Sequence, residues 1–146
     1  QVARTLVQKL GDTKVEVVEN LTDEAGKPLQ AGLFDPETNT IKINAATGIN
    51  PHTILHETTH ALTSATLDNK SHTVTKQFGK LFNDVKDQLG SVYGSRNLDE
   101  FVAEAFGNPE FQQTLAGIIP NARPCTAVPW GWFLVYEDTF RVYGWP

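Results

Sequence analysis

The 146-residue chain contains one cysteine and no methionine. It also contains no apolar run close to the roughly 20 residues that a membrane-spanning helix needs, so we expect no membrane insertion. Cys125 alone cannot form a disulfide within the chain, and its presence leaves the cellular compartment open. The sequence begins at Gln1 and has no basic segment leading into an apolar signal core, so we expect an excised domain or a processed product.

Basic residues are scattered and outnumbered, with 12 Lys and Arg against 17 Asp and Glu and a formal net charge of -5. A phosphate backbone is bound through a stripe of Lys and Arg, so nucleic acid is not an expected partner. With 40% hydrophobic residues, a chain of this length can bury one core. We predict a single domain over residues 1–146. For its aromatic-rich C-terminal segment, 120–146, a strand pair, a lid and a docking surface all stay open.

The first third of the chain carries strand signals. Lys14–Glu19 alternates apolar and polar residues as a half-buried strand does. The segments 32–34 and 40–44 flank the sequence DPETN over 35–39, whose Asp, Pro and Asn are typical turn formers. This second pair predicts a β-hairpin that leads directly into a helix.

Three helices are predicted downstream, over 50–67, 71–89 and 97–107. Each begins at a residue whose short polar side chain can accept hydrogen bonds from the first free backbone N–H groups. Gly90 ends the second helix, and Asn108-Pro109 opens a further helical turn or two after the third. The capping residues are Asn50, Ser71 and Asn97.

One motif inside the first predicted helix carries chemistry. His56-Glu57-Thr58-Thr59-His60 has the form H-E-x-x-H. Residues four apart lie one above the other on a helix, so both imidazoles can reach one Zn²⁺ at about 2.0 to 2.1 Å. A carboxylate at Glu57 can then take a proton from metal-activated water and pass it to a leaving amine. The motif predicts Zn²⁺ as cofactor, His56 and His60 as ligands, and Glu57 as the catalytic base.

Two further histidines offer alternatives. His52 lies four residues before His56 and could form a rival pair with it. The base position of that pair would be Thr53, which cannot act as a base, so we interpret His52 as a surface residue. Positions 52 and 60 are about 12 Å apart along a helix axis, which prevents all three histidines from sharing one ion. His72 is interpreted as a solvated residue near a helix start.

A catalytic zinc site needs a third protein ligand. Glu100 and Glu104 are the candidates, because a spacing of i and i+4 on the third predicted helix lets both face the same object. Both lie away from the apolar stripe of that helix, and Glu100 could merely close a capping box with Asn97. The residue pattern alone leaves the metal-ligand and capping interpretations equally open.

The segment Tyr93–Phe106, taken together with the motif at 56–60, resembles the gluzincin metallopeptidases of the anthrax lethal factor type. It is also similar to the small peptidase domains within large phage polyvalent proteins. In those families a tyrosine precedes the helix, the first glutamate of an E-F-x-A-E-A-F segment binds zinc, and the second supports a zinc histidine. The resemblance implies that Glu100 is the third ligand, Tyr93 a transition-state hydrogen-bond donor and Glu104 a partner of a ligand histidine.

The resemblance, which covers 50–106, also implies a zincin-like α+β fold. A small twisted sheet with the hairpin at its edge would pack on an active-site helix and on a glutamate-bearing helix. The implied activity is that of a zinc endopeptidase, whose protein or peptide substrate could add to an edge strand. Two alternatives stay open: a catalytically inactive zinc-bound interaction or virion-structural module, and a host-directed toxin protease. The localisation is not predicted; a phage virion and delivery into a host cell as part of a larger protein are two settings compatible with the resemblance.

Overall fold

The computed structural model describes residues 9–22, 26, 31–119, 123–124 and 134–135. Its helices and strands form a mixed α+β architecture, as predicted. The chain divides into two compact units, residues 1–65 and 66–146, and the boundary falls inside one helix. The single domain predicted over 1–146 stays a prediction.

The first unit contains a three-stranded sheet in the order β1-β3-β2. Strand β1 (Lys14–Val18) pairs in parallel with β3 (Thr40–Asn44), and β2 (Gly32–Asp35) pairs antiparallel with β3. The central strand β3 buries Ile41 and Ile43, which point to the same face because side chains alternate along a strand. The predicted hairpin is therefore confirmed, with β2 at an edge of this sheet.

Strand β1 forms where the alternating pattern predicts it, but the prediction that it is half-buried is wrong. Its first four residues are exposed, and Val15 and Val17 have 59% and 61% of their surface accessible. β1 is the other edge of the sheet. Alternation identifies an extended segment, whereas burial of its apolar face depends on what packs there.

The turn between β2 and β3 is organised by Asp35. Its Oδ1 accepts hydrogen bonds from the backbone N–H groups of Glu37, at 3.0 Å, and Thr38, at 3.3 Å, and its Oδ2 accepts one from the Thr38 hydroxyl at 2.8 Å. The hydroxyl bond contributes most to lowering the pKa of Asp35 below its ordinary value. Asn39 follows with a φ of 49°, a left-handed conformation that asparagine tolerates. Local turn chemistry therefore accounts for this connection.

Helix α1 (Pro51–Asp68) follows the sheet and carries the predicted motif. Asn50 caps it, because its Oδ1 accepts from the Thr53 N–H at 2.9 Å while its Nδ2 donates to the Thr53 hydroxyl at 3.0 Å. Proline is favourable at the first helical position, where an N–H would have no partner within the helix. The predicted start is confirmed, and the helix ends one residue beyond Leu67.

The second unit contains α2 (Thr73–Leu89), a short 3-10 helix at Tyr93–Ser95, α3 (Leu98–Gly107) and α4 (Pro109–Ile118). Apolar side chains from these helices and from the end of α1 form its core. Its buried members are Leu67, Val85, Leu89, Phe101, Val102, Phe111, Leu115 and Ile119. As the periodicity of α2 predicts, further side chains of that helix pack against the core, namely Phe78, Leu81 and Phe82.

The start of α2 differs from the prediction. His72 is the N-cap, not Ser71, and its Nδ1 accepts from the Val74 N–H at 3.3 Å. The Ser71 hydroxyl instead donates to Asn69 Oδ1 at 2.7 Å, in the loop before the helix. His72 is exposed, as expected, but it has this capping role as well. At the other end Gly90 has a φ of 65° and ends the helix where predicted.

Two asparagines define both ends of α3. Asn97 caps its start, with Oδ1 accepting from the Glu100 N–H at 2.9 Å. Asn108 follows its end and caps α4, with Oδ1 accepting from the N–H groups of Glu110, at 2.9 Å, and Phe111, at 3.2 Å. These helix boundaries agree with the sequence signals.

Within 120–146 the structure describes two short strands. β4 (Arg123–Pro124) pairs antiparallel with β5 (Leu134–Val135), in agreement with a strand pair, one of the alternatives for this segment. Cys125 and the aromatic side chains of the segment lie outside the described residues. Among the helices that the structure does describe, none is both long and apolar enough to cross a membrane.

Candidate metal centre

The two motif histidines lie one turn apart on α1 and face each other. Their Nε2 atoms are 3.1 Å apart, and the ring centroids of His56 and His60 are 4.7 Å apart with the planes at 73°. Two nitrogen ligands at about 2.0 to 2.1 Å from a tetrahedral ion would lie about 3.3 Å from each other. The pair therefore has a spacing that suits joint binding of one metal ion.

The motif lies on a mostly buried stretch of α1. His56 has 8% and Glu57 7% of its surface exposed, while His60 is half-buried. The buried Thr59 donates its hydroxyl to the Leu55 carbonyl at 2.8 Å, so this polar side chain is satisfied by its own helix. A buried side chain that is already held by a hydrogen bond, as Thr59 is, loses little further freedom when a ligand binds.

His52 continues the row of imidazoles on the solvent side. Its ring centroid lies 5.8 Å from that of His56, about 1 Å farther than the centroid of His60. His52 is exposed, as predicted. The next residue, Thr53, hydrogen-bonds to Asn50 at the helix start. His56 and His60 are therefore the pair that combines close nitrogens with an adjacent acid.

In the second unit, Tyr93 and Glu100 are hydrogen-bonded to each other. The tyrosine hydroxyl donates to Glu100 Oε1 at 3.2 Å, and the guanidinium carbon of Arg96 lies 4.0 Å from the centre of the tyrosine ring. The Ser95 hydroxyl stabilises the turn, with contacts of 2.8 Å to two backbone carbonyls before it. Tyr93 is 45% exposed, so its ring is held from one side while a ligand can approach it.

Glu104 follows Glu100 by one turn of α3 and is only 4% exposed. The side-chain amide of Asn108 donates to its Oε2 at 2.6 Å. A buried carboxylate is costly unless it is hydrogen-bonded, so this bond is part of what makes its position tolerable. Residues 101–104 are all buried, so the burial of α3 extends beyond its apolar stripe and includes Glu104.

Histidines and glutamates among the described residues could hold a metal ion. The ligand set predicted from the sequence, His56, His60 and Glu100, combines residues of both units and stays a prediction, as does the identity of the metal.

Two residues that contact the predicted site residues Glu104 and Tyr93 were not predicted from the sequence. Asn108 holds Glu104 from four positions along the chain, and Arg96 covers the ring of Tyr93 from three positions along a 3-10 turn. Both spacings bring side chains to the same side of a helical segment, so the signals were present in the sequence. Neither residue belongs to a metal-binding motif, and each acts on a neighbour.

A scan of the chain against protein-family models finds no match, and searches of the curated proteins and of the solved structures find none either. The likeness to the lethal factor type therefore rests on the two motifs in 50–106.

Proposed function

We propose that this protein is a zinc-dependent endopeptidase of the gluzincin type with a zincin-like fold. The observation that carries the proposal is the pair of imidazoles on α1, with 3.1 Å between the Nε2 atoms of His56 and His60 and the buried acid Glu57 beside them. Two histidines and a carboxylate form one of the known ligand sets of catalytic zinc, which leaves one position open. Glu100 completes this set.

The proposed reaction is hydrolysis of a peptide bond. When bound, zinc supplies Lewis-acid polarisation and makes water nucleophilic at neutral pH. Glu57 accepts a proton from the attacking water and delivers it to the leaving nitrogen, so that a carboxylic acid and an amine are formed. Tyr93 donates a hydrogen bond to the oxyanion that develops on the substrate carbonyl. Glu104 orients a ligand imidazole and keeps its tautomer.

A protein or peptide substrate is favoured by the position of β2. This strand is an edge of the described sheet, and its first residue, Gly32, lies directly against Glu57. An extended peptide can add to a sheet edge through main-chain hydrogen bonds. Such a peptide would run beside the acid that acts on its scissile bond.

Metal content tests the ligand set. Purified His60→Ala and Glu100→Ala proteins should contain far less zinc than the parent, because each loses one of three ligands. His52→Ala is the matched control and should keep its zinc. Zinc lost in His52→Ala but retained in His60→Ala would show that His52 and His56 are the histidine pair that binds the metal. Zinc retained in Glu100→Ala but lost in Glu104→Ala would show that the wrong glutamate was assigned.

Turnover of a peptide library tests the reaction. Glu57→Gln should keep its zinc and lose about 10²- to 10⁴-fold in rate, which is the usual contribution of a general acid–base group. A fully active Glu57→Gln protein would refute the mechanism. A zinc-loaded parent that cleaves no peptide or protein would make the inactive zinc-bound module the better interpretation. Cleavage confined to host proteins would favour the toxin alternative.

A further inference from the structure

Gly32 lies at the start of β2, where that strand meets α1. A β-carbon added to it would lie 2.7 Å from Glu57 Cγ, 3.0 Å from Glu57 Oε1 and 2.8 Å from Thr53 Cγ2. Thr53 and Glu57 are one turn apart, so their side chains share one face of the helix. The strand backbone and this helix face approach each other at a distance that only glycine permits.

Space, not backbone conformation, requires glycine at this position. Positive φ values among the described glycines occur at Gly11, Gly26 and Gly90, and Gly32 is not one of them. Any residue could therefore adopt its backbone conformation. Glycine in a strand weakens the strand and often marks a point where another group comes close. Here the close group is the side chain of Glu57.

We propose that Gly32 is a positioning residue for the acid Glu57, an inference that rests on the proposed peptidase function. Ordinary contact begins at 3.4 Å, so a methyl group at position 32 would displace Glu57 Cγ by about 0.7 Å. Glu57 is 7% exposed and has little free volume into which to retreat. The absence of a side chain at Gly32 thus determines how closely the Glu57 carboxylate can approach the edge strand β2.

Gly32→Ala is best tested in a Thr53→Ser background. Serine removes Thr53 Cγ2, one of the crowded atoms, and retains a hydroxyl for the hydrogen bond from Asn50, which is 3.0 Å long. Glu57 then supplies the remaining close contacts. This background also helps the variant to fold, because only one of the two crowded side chains has to move.

The first measurement is the thermal midpoint Tm of the zinc-saturated full chain, in a double-mutant cycle that combines Gly32→Ala with Glu57→Ala. Gly32→Ala should lower Tm by roughly 3 to 10 °C when Glu57 is present, as overpacking does in a protein of this size. It should lower Tm by less than half as much in a Glu57→Ala background, because Cγ and Oε1 are then absent. Equal losses of Tm in both backgrounds would show that the residue at position 32 does not contact Glu57.

The second measurement is steady-state kinetics on a cleaved peptide. Gly32→Ala should lower kcat by about 10²-fold, because a displacement near 1 Å of a reacting group has that cost. KM should change by no more than about two-fold and zinc content should not change, since the variant removes neither a group that binds the peptide nor a ligand of the metal. A parent-like kcat, or a loss explained by lost zinc, would overturn the positioning role.

Gly79→Ala is the matched control. A β-carbon at Gly79, in the middle of α2, would meet no atom within 4 Å. This variant should keep kcat and raise Tm slightly, because alanine is the better helix former. If the parent cleaves nothing, the proposed function and the positioning role of Gly32 in catalysis by Glu57 both fail. The Tm cycle separately decides whether Gly32 and Glu57 are in contact.

Discussion

Asn108 connects the stability of the second unit to the buried acid Glu104. Its Oδ1 accepts from the N–H groups of Glu110 and Phe111, and its Nδ2 donates to Glu104 Oε2 at 2.6 Å. Asn108→Ala removes all three hydrogen bonds. Asn108→Ser keeps a capping oxygen but loses the amide donor, so the two variants separate the cap from the bond to the glutamate.

The expected magnitudes follow from these contacts. Loss of an N-cap side chain costs about 0.5 to 2 kcal/mol. A hydrogen bond to a charged group contributes about 1.5 to 3 kcal/mol, and solvent screens this one little because Glu104 is 4% exposed. Asn108→Ala should therefore lower the free energy of unfolding by about 2 to 5 kcal/mol, and Asn108→Ser by about 1.5 to 3 kcal/mol.

Urea unfolding of the metal-free proteins measures these differences. Asn97→Ala is the matched control, because the Asn97 side chain caps α3 through the Glu100 N–H and its removal therefore tests the loss of a cap alone. It should cost about 1 kcal/mol. If Glu104 supports a ligand imidazole, Asn108→Ser should also weaken zinc binding by about 10- to 100-fold.

An Asn108→Ser protein as stable as the parent, together with an Asn108→Ala protein that loses no more free energy of unfolding than Asn97→Ala, would refute this prediction. Asn108 would then be only a cap, and its bond to Glu104 would contribute nothing to folding. If Asn108→Ser is destabilised but binds zinc as tightly as the parent, the bond from Asn108 to Glu104 stabilises the fold but does not affect metal binding.

Two further predictions concern the oxyanion donor and the hairpin. Tyr93→Phe should lower kcat by about 10²- to 10³-fold with little change in KM, zinc content or Tm. Only a hydroxyl is lost in this variant, and the ring still packs under Arg96. Turnover equal to that of the parent would show that the role of the tyrosine is structural. The hydrogen bonds that lower the folded pKa of Asp35 stabilise the turn above its ordinary pKa, and this contribution is lost as the pH falls below about 4. Urea unfolding of Asp35→Asn should therefore show a deficit against the parent at pH 7 that shrinks by pH 3, and a deficit independent of pH would contradict this.

Much of this protein is encoded locally in the sequence. Asn50, Asn97 and Asn108 mark helix starts because their short side chains satisfy backbone N–H groups only a few residues away. The hairpin follows from turn formers between two extended segments, and the spacing of His56 and His60 follows from the helix repeat. These features involve neighbours along the chain, so the pattern of residues was sufficient to predict them.

The tertiary structure decided what depends on distant partners. Periodicity indicated that β1 is a strand, but pairing placed it at an edge and left Val15 exposed. Glu104 is a polar residue on a helix, and only packing on several sides of α3 shows that it is buried. Gly32 is an ordinary glycine in the sequence until the helix brings Glu57 against it. Burial and close approach depend on which surfaces meet, and residue spacing along one chain does not contain that information.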